Sequence, residues 1–304
     1  MFWLFSACCG TITNIKTGWR SAMKQQKKRW KAGALGLAAG AALAAGTAWA
    51  FQDRLEVTWY DAALPEGLEG LDGLKIAQIS DVHSADLQEE LCQALEQAAP
   101  DILVFTGDLV NREDQDLSRA LSLAAAATQI APAYYVPGNH EADNPGYPEL
   151  REALEQVGVT VLEDEAAQLW RNGEQLNLIG LRDLTFHPQG RERGREELPD
   201  LVRELSAEGA LNVVLSHRPS LMAEYAQSGA GLVFSGHAHG GQVRLPFVGP
   251  LFAPDEGVFP NYTAGVYRTG ETQVVVSRGL GNGTPFPRLW NRPELVIVTL
   301  RAGK

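Results

Sequence analysis

The sequence predicts an α/β domain in which two β-sheets lie face to face with helices on the outside. Three observations carry this. A strand, polar turn, helix rhythm repeats three times between residues 75 and 157, as expected where helices cover a sheet. The run Ile102-Leu103-Val104-Phe105-Thr106 is β-rich without alternation, which suits a strand covered on both faces. Midway, Asn172-Gly173 stands between two β-rich segments, the strongest short hairpin signal.

Taken in order, residues 51–73 hold Pro65 and several glycines and read as a linker into a domain spanning 74–304. Residues 75–80 read as a strand that ends in Asp81-Val82-His83, and Leu87, Leu91 and Leu95 then recur on one helical face. After the strand at 102–106 come Gly107-Asp108 and a helix over about 116–129. The strand at 133–136 runs into Pro137-Gly138-Asn139-His140-Glu141, followed by a helix over about 148–157. Segments 159–162, 168–171 and 176–179 read as antiparallel strands. The charged stretch 191–197 reads as a solvated loop or lid, with a helix from Pro199 to Ser206. Strands are expected at 212–215, ending in Ser216-His217-Arg218, at 232–235, ending in Gly236-His237-Ala238-His239-Gly240, and at 273–276 and 295–300.

Charge is divided unevenly along the 304 residues. The first fifty carry Lys16, Arg20, Lys24, Lys27, Lys28, Arg29 and Lys31 and no acid, so residues 51–304 hold 19 bases against 37 acids. Such a domain repels nucleic acid, and no basic patch with interleaved aromatics argues otherwise. A basic cluster at 24–31, an Ala, Gly and Leu run from 32, and Ala48-Trp49-Ala50 give the three-part layout of an export signal over 23–50. The run is also about long enough to span a bilayer. The expected location is therefore the cell membrane, through a single amino-terminal anchor with the domain outside the cytoplasm, or secretion if the signal is cleaved. Residues 1–22 fit none of this layout, and a start at Met23 would give the segment a conventional short basic beginning. The cysteines are Cys8, Cys9 and Cys92, so the domain can form no internal disulfide.

Five of the six histidines (His83, His140, His217, His237, His239) sit just after short apolar runs, each beside Asp, Asn, Gly or Arg; His187 reads as an ordinary loop histidine. Strand carboxyl ends are where open α/β sheets place ligands. Imidazoles with oxygen donors and no thiolate suit Mn, Fe or Zn, not Ca and not a structural zinc knot. Seven donors are too many for one four-coordinate ion, so two ions sharing a carboxylate are the economical solution.

The five blocks, D-x-H, G-D, G-N-H-E, H and G-H-x-H in this order, resemble the motifs of the calcineurin-like metallophosphoesterases over about residues 74–300. Gly240-Gly241-Gln242, Ser277-Arg278-Gly279 and Asn291-Arg292-Pro293-Glu294 resemble its exported or membrane-anchored bacterial subgroup. The resemblance implies a four-layer αββα sandwich of two mixed sheets. It also implies a pair of divalent transition metal ions, one held by Asp81, His83, Asp108 and His239, the other by Asp108, Asn139, His217 and His237, with Asp108 shared. His140 would stay unligated and serve as general acid toward the leaving group. Asn111 stands where many members have Asp, and Ala238 where Thr or Ser is common; neither position is a ligand. The expected activity is hydrolysis of a phosphodiester, phosphomonoester or pyrophosphate bond in a small-molecule or lipid substrate of the envelope. Arg218, Arg278 and Arg288 are candidate contacts for phosphate or headgroup.

Other hydrolase classes fail on spacing: His140-Glu141 has Asn144 where H-E-x-x-H needs its second histidine. The non-enzymatic alternative is a degenerate, metal-holding protein that binds envelope lipids or sugars.

Overall fold

The computed structural model describes residues 54–303 apart from 285, with Phe51 and scattered positions between 23 and 40. Two units are distinguished, Met1–Ala50 and Phe51–Lys304. The described residues of the first are helical. The expected signal or anchor over 23–50 lies mostly outside the described residues, and among those described no helix is long and apolar enough to cross a membrane.

In the second unit the long strands form two six-stranded sheets. The first contains β1 (Glu56–Ala63), β2 (Lys75–Ile79), β3 (Ile102–Thr106), β4 (Ala133–Val136), β5 (Val159–Val161) and the last strand, β16 (Glu294–Arg301), in the order β1-β16-β2-β3-β4-β5. The second contains β6 (Glu165–Arg171), β7 (Glu174–Gly180), β8 (Leu211–Leu215), β9 (Leu232–Ser235), β14 (Gly265–Thr269) and β15 (Thr272–Val276), in the order β14-β15-β9-β8-β7-β6. Between β9 and β14 the chain makes an excursion with four two-residue strands, β10 (Arg244–Leu245), β11 (Gly249–Pro250), β12 (Phe252–Ala253) and β13 (Gly257–Val258), in two small antiparallel hairpins.

Alternation along the strands explains the layering, because successive side chains point to opposite faces. In β3, Ile102 and Val104 join Val213, Leu215 and Phe234 in the core between the sheets, while Leu103 and Phe105 face the helices. The outer face of the first sheet is covered by α1 (Gln88–Ala98), α2 (Ser118–Thr128) and, after the short α3 (Asn139–Asp143), α4 (Tyr147–Gln156), through Leu91, Leu95, Leu123 and Leu150. Val214 and Val233 of the second sheet point the other way, onto Leu198 and Val202 of α5 (Arg191–Leu205) and Tyr225 of α6 (Met222–Ser228). Helix, sheet, sheet, helix is therefore the order of layers. The Asn172-Gly173 turn closes the β6–β7 hairpin with φ of 52° and 86°, the left-handed pair a tight hairpin requires.

Three expectations are corrected. The segment 51–73 is more than a linker, because β1 lies within it and pairs in parallel with β16, a partner at the far end of the chain that no local pattern reveals. Segment 159–162 is not antiparallel: β5 runs parallel to β4 at the edge of the first sheet, and β7 runs parallel to β8. Residues 191–197 are the first turns of α5, which continues through Pro199. An interior proline costs a helix about 3 kcal/mol. Here the burial of Leu198 and Val202, the Arg193–Glu197 pair and the Arg195–Glu224 bridge to α6 offset that cost.

Candidate metal centre

β2, β3 and β4 of one sheet and β8 and β9 of the other deliver their following residues to one place. Asp81 and His83 follow β2, Asp108 follows β3, Asn139 and His140 begin α3 after β4, His217 follows β8, and His237 and His239 follow β9. The loops are knitted together by their own backbones. Asp81 N–H donates to Gly107 O (3.0 Å), His83 N–H to Asp108 O (3.0 Å) and Gly236 N–H to His217 O (3.0 Å). His237 N–H donates across the two sheets to Asp81 Oδ1 (3.0 Å).

Two groups of donor atoms result. Asp81, His83, Asp108 and His239 each bring a ligand atom within 4.8 Å of the others, and so do Asp108, His217 and His237. Asp108 belongs to both. Asn139 Oδ1 stands 3.2 Å from His217 Nε2 and joins the second group. Both carboxylates and all four imidazoles are buried.

Proton positions follow from the outer partners of these rings. His83 Nδ1–H donates to Asn111 Oδ1 (3.0 Å), His217 Nδ1–H to Thr106 O (2.8 Å) and His237 Nε2–H to Asp255 Oδ2 (3.2 Å). A neutral imidazole has one proton, so His83 and His237 turn their remaining lone pair inward, and His217 does so when its inner nitrogen carries no proton. There the rings confront one another: His83 Nε2 is 3.2 Å from His239 Nε2, and His217 Nε2 is 3.1 Å from His237 Nδ1. Facing lone pairs repel unless positive charge stands near both, and this donor set could hold divalent cations with each ring oriented from behind.

Electrostatics agrees for His83 and His237 and sets His217 apart. Burial lowers His83 and His237 to about 4, which keeps both rings neutral. Burial, reinforced by the neighbouring Asp108, raises Asp81 to about 6, although the His217 charge opposes it. Burial would also lower His217, but the charge of Asp108 and the hydrogen bond to it carry this ring up to about 10. A proton and a metal ion would compete for the same nitrogen.

The backbone is forced to make this convergence. Asp81, His83, Asp108, His237 and His239 all have φ between 46° and 63°, a region that costs non-glycine residues of order 1–3 kcal/mol each. Close approach adds to the demand: a Cβ on Gly236 would stand 2.3 Å from Asp81 Oδ2, and one on Gly283 would stand 2.6 Å from His83 Nε2. Gly279, Gly281 and Gly283 thus form a turn pressed against the Asp81–His83 segment.

Residues 74–241 match the calcineurin-like phosphoesterase family. The chain belongs to that family. It is 28% identical over 292 residues to the uncharacterized metallophosphoesterase YkuE of Bacillus subtilis, covering 92% of this chain and 99% of that one. It is 29% identical over 237 residues to the phosphodiesterase YaeI of Escherichia coli, covering 74% and 82%. Among solved structures, a dimetal phosphatase from Danio rerio aligns with 75% of this chain and 93% of its own at 12% identity and a TM-score of 0.45.

For a metallophosphoesterase of this kind the flanking residues matter as much as the donors. Asn111, where Asp is common, still supplies an oxygen to His83 and is itself held by Asp114, whose Oδ2 accepts from Asn111 N–H (2.8 Å). Ala238, at the second departure, is buried. The three arginines lie around the cluster and each is tied into the fold. Arg218 pairs with Asp183 and Asp255, Arg278 with Glu56 and Glu294, and Arg288 donates to the carbonyls of Gly281 and Arg278 with Nη2 3.3 Å from His239 Nδ1.

Sequence reasoning passed over three neighbours. The Glu141 carboxylate accepts from the backbone N–H of Asp108 (2.8 Å), Leu109 (2.7 Å), Val110 (3.1 Å) and Gly138 (2.8 Å), so it holds two of the loops in place. It stands inside the G-N-H-E block, and that was the available signal. Arg112 contacts His140 twice, through its backbone N–H at Nδ1 (3.3 Å) and its Nη2 at Nε2 (3.2 Å); a neutral ring can accept only one of these. Asp255, in the excursion beyond His237, carries no local signal at all.

Proposed function

We propose that this protein is a two-metal phosphodiesterase acting outside the cytoplasmic membrane. The observation that carries the metal chemistry is the set of outer acceptors, Asn111 Oδ1, Thr106 O and Asp255 Oδ2, which turn the inner nitrogens of three imidazoles toward two aspartates. In this reading Asp81, His83, Asp108 and His239 hold one ion, and Asp108, Asn139, His217 and His237 hold the other. When bound, such ions supply Lewis acidity toward the phosphoryl group and bring the pKa of water toward neutrality.

The chain's own residues do the rest. Asp108, with its Oδ1 fixed by His140 N–H (2.9 Å), shares its carboxylate between the two groups and sets their spacing. His140 belongs to neither group; its Nε2 lies 4.0 Å from Asp108 Oδ2, and the residue is buried, 8% exposed. It is placed to hold a proton at Nε2 and deliver it to the departing oxygen, a role worth about 10²–10⁴-fold. Burial lowers its pKa, so the protonated ring is the stronger acid while a smaller share of rings carries that proton at neutral pH.

Preference for a diester over a monoester rests on the relative named as a phosphodiesterase. Location outside the membrane rests on the basic cluster and apolar run over 23–50. The test is an assay of the Mn-loaded protein on a chromogenic phosphodiester and on the matching phosphomonoester. Faster turnover of the diester is expected. Turnover of the monoester alone would overturn the diester assignment, and no turnover by a fully loaded protein would favour the binding-protein alternative.

A further inference from the structure

We propose that the excursion after His239 is a docking face for a lipid bilayer, and that the metal centre acts on phosphodiesters presented at that surface; this rests on the phosphodiesterase reading above. Of the ten phenylalanines in the chain, Phe51, Phe247, Phe252, Phe259 and Phe286 are exposed. Phe51, Phe252 and Phe286, from three separate parts of the chain, wall one apolar groove of about 360 Å³ with Gly241 and Gln242 of the metal-bearing loop. Phe247 tops the β10–β11 hairpin, fully exposed and at φ 67°, a conformation aromatic residues rarely adopt. Folding gains nothing from aromatics held in water, so this face is shaped for something outside the fold.

The charges of the excursion favour a lipid occupant. All three of its charged side chains are engaged by partners within the fold. Arg244 donates to Gly240 O and Thr263 Oγ1, Asp255 binds Arg191 and Arg218, and Glu256 accepts from the backbone of Asn261 and Tyr262. What remains outward is apolar. The domain's excess of acids also works against electrostatic attraction to an anionic membrane, so insertion of aromatics has to provide the contact. The decisive feature is chain continuity. The Ala- and Leu-rich run read as an export signal or anchor ends at Ala50, and Phe51, the next residue, lies in this groove. A bilayer that holds the run has this face within reach.

Hydrolysis at that surface adds the elements of water across one P–O bond: the water oxygen joins phosphorus, and the departing oxygen leaves with a proton. Headgroup phosphodiesters would therefore be cleaved without extraction of their acyl chains.

Hydrogen–deuterium exchange of the full chain tests the docking. Vesicles of phosphatidylethanolamine and phosphatidylglycerol should slow exchange across residues 243–259 and 286–290. Slowing confined to residues 23–50, or slowing that grows with protein concentration without vesicles, would overturn the proposal, the latter in favour of a second copy as occupant. A second arm compares hydrolysis of a long-chain alkyl p-nitrophenyl phosphodiester embedded in those vesicles with its methyl analogue in water. Wild type should prefer the embedded substrate by about tenfold or more, and Phe247→Ser/Phe286→Ser should lose that preference while keeping its rate on the methyl analogue. An equal preference in both proteins would sink the docking face and leave the phosphodiesterase reading standing. Hydrolysis of neither diester would sink the reading itself.

Discussion

The floor of the metal centre and the excursion beside it are built on opposite plans. The floor is five short loops at strand ends, buried, with left-handed backbone at Asp81, His83, Asp108, His237 and His239 and with polar atoms tied to one another. The excursion from Val243 to Tyr262 has strands of two residues, exposes its phenylalanines and sends a single carboxylate, Asp255, inward to His237. In the floor, each residue is dictated by what it must touch. In the excursion, Arg244, Asp255 and Glu256 are dictated in that way, and the exposed phenylalanines are free to suit what lies outside. The difference teaches that the reaction and its presentation are encoded separately, joined here through Asp255, which meets His237 and Arg218, and Arg244, which donates to Gly240 O.

That contrast can be broken or sharpened in four steps. Asp108→Ala removes the carboxylate common to both donor groups, and loss of both metal equivalents with activity at background is expected; full metal content by elemental analysis would contradict its shared role. His140→Ala should keep both metals and lose about 10²–10⁴-fold in kcat, so wild-type turnover would remove His140 from the mechanism. Asp255→Ala reaches the same centre from the excursion, and a metal titration should show one of two sites weakened by about 10–100-fold. Asp255→Asn, which still offers an oxygen to His237 Nε2–H, should recover part of that loss; equal loss in both variants would mean that charge, not orientation, is what Asp255 provides. The smallest effect belongs to a pair remote from both regions. Arg193→Ala breaks an exposed contact with Glu197 and should cost about 0.3–0.5 kcal/mol in a thermal melt without changing metal content.

The sequence was most informative where function and fold used the same local grammar. β2, β3, β4, β8 and β9 are apolar runs ended by the residues that converge, so strand and site were read together. It was least informative where partners are remote or local rules are overridden. β1 is defined by β16 at the far end of the chain, β5 by β4, and the start of α5 by burial that outweighs Pro199. Glu141 was visible as a motif letter, but its four backbone donors come from two different loops. Asp255 was invisible because the excursion between it and His237 has no periodic pattern from which its return could be inferred.

The position of β16 has a consequence for how β1 is held. It lies between β1 and β2, parallel to one and antiparallel to the other, so β1 is fastened to the rest of the first sheet only through β16. A chain cut before Glu294 would leave β1 without a partner in its sheet, a loose amino-terminal edge open to proteases.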